Sequence, residues 1–548
     1  MLHYNEALRF ISPKTAPLDY AGIQYNLGNC CIDLSGGNNE ELHRAIHYLR
    51  EALRYCSPNE ALQDYARIQY RLSEAYLMLP EPEREKNAHL ALACANEGLR
   101  FVSEYSYPTE YALLQSQVGC AYLFLPGNTK DENLRHAVAC FDAALRIIKP
   151  LHAPDHYAEI KQNLGKAYAE LTTGDLENNL QLAVACFEEA LDYITPASDP
   201  LAYATVQLNL GKAYNKRKPP EELDGAGVGM TENKQRSITC LREALRYFSP
   251  QIDPGSFFGA HMLLGEVYFE LSSKSQVDYL HEAIDSYRAA LIVITQESNP
   301  VDFLKIQIAL AWCYSKLKDG DAGQNLRLAI ECYNEALNQT SLLRLEDIIA
   351  LQIGLAEAYR AIPDGIRINN LRQAITLYCQ ALQHRMPEAD PNIYSLLQNN
   401  LGTALMELQD DEWQSNLRQA IVHFHEALRF RPPETVPQDF VATQNNLGNV
   451  YASLTGGDQE QNLRHAITCF RQALHYTSLE SDPFLYASVQ NNLGNVYKNM
   501  PGSERMVNLR LAIICYQEAL SYFTFESFPK MYQHIRWNLD ECLRQSQI

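Results

Sequence analysis

Cations are in short supply in this chain: 46 Lys and Arg stand against 66 Asp and Glu, for a formal charge of −20. That balance argues against a protein that wraps nucleic acid, because phosphate contact needs clustered Lys and Arg. The local patch Lys212, Lys216, Arg217 and Lys218 reads as a solvated loop. Long apolar runs are missing too, with nothing near the ~18 residues of a membrane span. The first residues, MLHYNEALRF, lack the basic-then-apolar layout of a signal peptide. A soluble, cytoplasmic protein without a membrane partner is expected. There is no CxxC, no HExxH and no Cys/His group at zinc spacing, so no metal or cofactor is expected. No Ser/His/Asp or Cys/His set recurs with a mechanism attached, and His423 and His425, two apart on a helix, face different directions. An enzyme with a groove active site is therefore the weakest functional reading. GAGVG at 225–229 follows no strand and precedes no GK[ST], so it is not read as a phosphate cradle.

What is present is a repeat. QNNLGNVY occurs at Gln444 to Tyr451 and again, letter for letter, at Gln490 to Tyr497. Weaker copies centre on Gly28, Ser73, Gly119, Gly165, Gly211, Gly265, Ala311, Ala356, Gly402 and Asp540. Successive copies are 45 or 46 residues apart except for one step of 54, from Gly211 to Gly265. A fixed period of this size marks a solenoid rather than a single-core globule.

A second stretch alternates with the first, as in NLRHAITCFRQALHY from Asn462 to Tyr476. Its Leu463, Ala466, Ile467, Phe470, Ala473 and Leu474 follow a helical stripe. The glycine stretch has the same periodicity, so each repeat is helix A followed by helix B. Asp199-Pro200, Asp253-Pro254, Asn299-Pro300, Asp390-Pro391 and Asp482-Pro483 each set a capping side chain before a first-turn proline. Breakers such as Pro126-Gly127, Thr173-Gly174-Asp175, Pro363-Asp364-Gly365 and Gly456-Gly457 end helix A. Cys94, Cys140, Cys186, Cys240, Cys332, Cys469 and Cys515 share one helix-B position and read as small apolar packing groups.

Leu493, Gly494 and Tyr497, with Ala512, Tyr516 and Ala519, resemble the signature of tetratricopeptide repeats (TPR). The ~46-residue period is longer than the ordinary ~34, and it is similar to the repeats of kinesin light chains and of bacterial arrays that accompany CHAT peptidases. The resemblance implies an all-α, right-handed superhelical solenoid of about twelve helix pairs, spanning 1–548 as one array. Three departures from regularity stand out. Residues 1–12 match only part of a first repeat, as a fragment of a longer array would, or a first helix that frays or packs on a partner; they are a candidate homodimer contact. Residues 215–236 carry the eight extra residues and read as a loop insertion, and 529–548 as a solvating capping helix.

Function is sought in residues the fold does not need. By the resemblance, the positions three and two before the glycine and one after it line a concave groove. They hold Asn445, Asn446 and Asn449, then Asn491, Asn492 and Asn495, with Asn26, Asn29, Asn163, Asn209, Asn399, Asn400 and Asn538 in other repeats. Asn is a poor helix former, and its carboxamide offers both donors and an acceptor to a peptide backbone. The first reading is a non-catalytic scaffold that binds a protein or extended peptide segment along this row. In the competing reading the same carboxamides bond only to neighbouring helices or to water and stabilise the superhelix. Lys166 and Lys212 add positive charge that suits an acidic side chain or C-terminal carboxylate. Met262, Leu263, Ile308, Ala309, Ile353 and Gly354 replace Asn in the middle and Trp312 joins them, forming an apolar pocket or a tighter packing. A second functional reading is a sensor or regulatory part of a larger signalling or CHAT-peptidase assembly.

Overall fold

The computed structural model describes residues 1–36, 38–79, 83–126, 130–218, 226–272, 277–363, 365–384, 387 and 389–546. Among them the chain is all-α, with 24 α-helices and no strand. None of those helices is long and apolar enough to cross a membrane. Contacts fall into two compact units, Met1–Val293 and Ile294–Ile548, where the sequence reads as one array.

In the first unit the short α1 (Leu2–Ala7) precedes six A/B pairs: α2 (Pro17–Ser35) with α3 (Asn39–Leu53), α4 (Leu62–Met78) with α5 (Arg84–Leu99), α6 (Pro108–Phe124) with α7 (Lys130–Ile147), α8 (Pro154–Glu170) with α9 (Leu176–Leu191), α10 (Pro200–Lys216) with α11 (Ala226–Ala244), and α12 (Pro254–Ser272) with α13 (Val277–Ala290). The second unit has five pairs and a last helix: α14 (Pro300–Lys316) with α15 (Ala322–Leu337), α16 (Leu345–Ala361) with α17 (Arg367–Gln383), α18 (Pro391–Glu407) with α19 (Trp413–Leu428), α20 (Pro437–Ser453) with α21 (Gln459–His475), α22 (Pro483–Asn499) with α23 (Arg505–Leu520), and α24 (Pro529–Ser546).

The five capping pairs all act as expected. Asp199 accepts from the Ala202 amide at 2.9 Å, Asp253 from Ser256 at 2.9 Å, Asn299 from Asp302 at 3.1 Å, Asp390 from Ile393 at 3.1 Å and Asp482 from Leu485 at 3.0 Å. The A-to-B turns use glycine where φ is positive, 89° at Gly174 and 90° at Gly457. The aspartate that follows then caps helix B: Asp175 accepts from Asn178 at 3.0 Å and Asp458 from Gln461 at 3.1 Å. Gly127 and Asp364, from two of the expected breakers, lie outside the described residues.

The repeat glycine is where helix A meets the largest ring of its own helix B. A Cβ on Gly448 would lie 2.6 Å from the Phe470 ring, on Gly165 2.7 Å from Phe187, and on Gly494 2.8 Å from Tyr516. These rings are fully buried, each contributing roughly 1.5–3 kcal/mol of apolar burial. A second, polar tie also joins A to B. Tyr157 donates to Glu189 at 2.8 Å, and Tyr394 and Tyr486 each reach their helix-B glutamates, Glu426 and Glu518, at 3.3 Å. Gln490 donates to the Tyr486 hydroxyl at 3.0 Å, as Gln207 does to Tyr203 at 3.1 Å. The recurring cysteines pack as expected, and burial pushes the Cys186 thiol up to about 11 and those of Cys240, Cys469 and Cys515 up to about 12.

The insertion departs from expectation. Residues 219–225, including Gly225 of GAGVG, lie outside the described residues, but from Ala226 onward the stretch is helical rather than looped. Helix α11 has 19 residues against 16 for α9, so some of the added residues extend helix B backwards. Lys234 holds this register by bonding Asn215 at 2.5 Å and pairing with Glu270. At the start, α1 buries none of its residues. At the end, α24 buries Ile535, Asn538, Leu539 and Cys542 but turns Trp537 outward, so this cap is less polar than expected; residues 547–548 lie outside the described set.

Gly448→Ala is expected to lower the urea midpoint by an overpacking cost of about 1–3 kcal/mol. Gly259→Ala, where the new methyl meets nothing within 4 Å, is expected to leave the midpoint unchanged or raise it by up to about 1 kcal/mol. Equal midpoints for the two variants would show that the ring contact does not matter.

Candidate functional site

Successive A helices also touch one another, α4 on α6, α10 on α12 and α20 on α22, which brings the asparagine positions of adjacent repeats within bonding reach. Much of the row is bonded across the repeats. Asn492 donates to Asn445 at 3.0 Å, Asn446 to Thr403 at 3.4 Å, Asn400 to Glu357 at 3.2 Å, and Asn538 to Asn495 at 3.3 Å. Thr443 donates to Asn399 at 3.2 Å, Arg71 to Asn29 at 2.8 Å, and Asn163 to the Cys120 sulfur at 3.4 Å. Neighbours within a helix also meet: Asn399 donates to Asn400 at 3.3 Å and Asn491 to Asn492 at 3.5 Å. Tyr516 closes the last link by donating to Asn495 at 2.8 Å.

These bonds use only part of each group, since a carboxamide has two N–H donors and an oxygen with two lone pairs. Most of the row is partly exposed; Asn491 and Asn538 are buried, and the Oδ1 of Asn491 is unpartnered. Among the described residues the carboxamides of Asn26, Asn209 and Asn449 make no hydrogen bond. Asn26 lines a small cavity with Tyr25 and Arg67, and Asn209 lines one with Lys166 and Lys212.

Where the row gives way to apolar residues, a cavity of about 660 Å³ opens between α14 and α16. Trp312, 39% exposed, and Ile353 form its walls, and Lys318, Glu357 and Arg360 stand around it. Gly354 is required here by a close approach: a Cβ at that position would fall 2.5 Å from the Tyr333 hydroxyl. Of the residues that replace Asn, Ile353 and Gly354 line this cavity together with Trp312, and its rim is charged. Burial raises the Glu357 carboxyl pKa, against the pull of Arg360 and the hydrogen bond from Asn400. Burial likewise lowers the Lys166 pKa, and for Lys212 it acts together with repulsion from Lys216 and Lys166.

The inter-repeat bonds could not be read from one copy of the motif, because the partners lie 42 to 47 positions apart. The Gln–Tyr–Glu tie had a visible signal: Gln stands four before the glycine position in most repeats, as Gln24, Gln69, Gln207, Gln307, Gln352, Gln398, Gln444 and Gln490 do.

Two-helix units joined by glycine-on-ring packing and carrying a polar row on helix A define an α-solenoid of TPR-like repeats. The family model of the Sel1 repeat matches residues 162–192, 307–341, 441–474 and 487–521, each match taking in part of an A helix and the B helix after it. No curated protein matches it. Among solved structures, the Cut9–Hcn1 hetero-tetramer of the APC/C is 14% identical with a TM-score of 0.33, covering 97% of this chain and 99% of that one. The STAND protein PH0952 of Pyrococcus horikoshii, which has a tetratricopeptide repeat sensor, is 14% identical with a TM-score of 0.42, over 90% and 74%. Yeast Tom70 is 14% identical with a TM-score of 0.31, over 97% of each chain.

Asn492→Ala removes the bond to Asn445 and is expected to cost about 0.5–1.5 kcal/mol in denaturant unfolding. Asn449→Ala removes no bond and should stay within about 0.5 kcal/mol of the parent. The reverse order would mean that the carboxamide bonds across repeats do not hold in solution.

Proposed function

We propose that the chain is a non-catalytic scaffold that holds an extended protein segment along the A-helix row. The observation that carries this reading is the state of the carboxamides. Bonds between repeats hold Asn400, Asn446 and Asn492 in place, while each keeps unused donor or acceptor capacity. Groups already held in one orientation lose little freedom on binding, and a carboxamide pairs with a peptide bond regardless of the side chain it carries. In the competing reading the carboxamides bond only to neighbouring helices or to water; Asn449, which bears the helix cost of Asn and bonds to nothing among the described residues, is the position at which the two readings differ most in what they predict for binding. Side-chain selectivity would come from the Trp312 cavity, which has apolar walls for one large side chain and charges of both signs around it.

The test is to select peptides on the full chain by display and measure their affinities by fluorescence anisotropy. Asn449→Ala touches a group without side-chain hydrogen bonds, so its melting temperature should hold; Trp312→Ala also removes partly covered aromatic surface, so its binding is measured well below its own melting temperature. Each is expected to weaken binding about tenfold, equivalent to ~1.4 kcal/mol. Selected peptides that bind both variants as tightly as the parent would place the binding surface elsewhere and defeat this reading.

A further inference from the structure

The most unusual charge arrangement in this acidic chain lies in the first unit. Lys130, Lys166, Lys212 and Lys216 line one cavity of about 500 Å³, together with Asn209 and Glu170. Among the described residues Glu170 is the one carboxylate lining it, and it is paired with Lys130 at 2.8 Å. Lys216 reaches the Ala169 carbonyl only at 3.5 Å, and Lys166 reaches Asn163 at 3.5 Å. Lys212 has no partner among the described residues. Four ammonium groups with one carboxylate leave an excess of three positive charges facing one space. Burial and mutual repulsion both act against the charge on Lys212, and an anion entering the cavity would relieve that repulsion.

We propose that this cavity is a binding site for a phosphate monoester carried on the protein segment that occupies the A-helix row. The choice of anion follows from charge and geometry. A carboxylate brings one charge, which leaves most of the excess positive charge in this cavity unmatched. A phosphate monoester brings about 1.5 to 2 negative charges and three acceptor oxygens, which suits several mobile ammonium groups acting as point charges. It also fits the local charge better than the acidic side chain or C-terminal carboxylate expected for Lys166 and Lys212. The amide of Asn209 adds an uncharged donor at the same wall. The proposal rests on the groove reading only for the chain that bears the phosphate.

The test uses the full chain and calorimetric titration with an acetylated, amidated Gly-Gly-phosphoserine-Gly-Gly peptide. The serine and glutamate versions, AMP and inorganic phosphate are the comparison probes. The phosphoserine peptide is expected to bind at least about tenfold more tightly than every other probe, to lose that advantage in Lys166→Met/Lys212→Met, and to keep it in Lys166→Arg/Lys212→Arg. Equal binding of the glutamate peptide, or binding unchanged in the Met variant, overturns the phosphate assignment. AMP or inorganic phosphate binding as tightly as the peptide overturns the protein-borne part. The display-selected peptides are titrated alongside. If they bind while the phosphoserine probe does not, the cavity proposal falls and the groove reading stands; if they fail on the parent chain, the groove reading falls independently.

Discussion

The contact on which the architecture depends is an aromatic ring laid on bare backbone. Helix A gives up a side chain at Gly119, Gly165, Gly265, Gly402, Gly448 and Gly494, and Phe141, Phe187, Tyr287, Phe424, Phe470 and Tyr516 of helix B take the vacated space. Interiors pack at crystal-like density, so this contact fixes the separation within a pair to a few tenths of an ångström. Two pairs use a smaller partner: Leu49 lies over Gly28 and Leu241 over Gly211. Where Ala356 replaces the glycine, the ring is Tyr378, still fully buried.

This contact also accounts for the polar row. Because the ring packing lies on one side of helix A, the residues three and two before the glycine and one after it are released from core duty. Consecutive A helices then stand close enough for carboxamides to bond from repeat to repeat, as Asn492 does to Asn445 at 3.0 Å. The row's chemistry changes along the chain while its position does not. It offers lysines at Lys166 and Lys212, an indole at Trp312 and a carboxylate at Glu357 before returning to Asn449 and Asn495. A solenoid can vary one such slot repeat by repeat because each repeat touches only its neighbours.

The helix pairs were legible in the sequence because the cues are local: the Asp-Pro and Asn-Pro caps, the glycine, and the apolar stripe all fall within one helix. The asparagines were visible as a pattern, but their bonds were not, because Asn400 meets Glu357 43 positions away and only a folded stack makes them neighbours. The tie between Tyr486 and Glu518 spans 32 positions and was hidden for the same reason. Composition misled at residues 226–236, where glycine-rich sequence suggested a loop, whereas Lys234, anchored on Asn215, supports one more stretch of helix. The apolar interruption around Trp312 was legible, but not its charged rim, since Lys318 and Arg360 lie outside the motif that drew attention to it.

The central claim is that packing holds the carboxamide row in register through bonds between repeats. A double-mutant cycle on Asn445 and Asn492, read by denaturant unfolding, measures that link directly, because the residues touch across two A helices. The structure predicts a coupling of about 0.5–1.5 kcal/mol, the net worth of one such hydrogen bond. Strict additivity of Asn445→Ala and Asn492→Ala would contradict it.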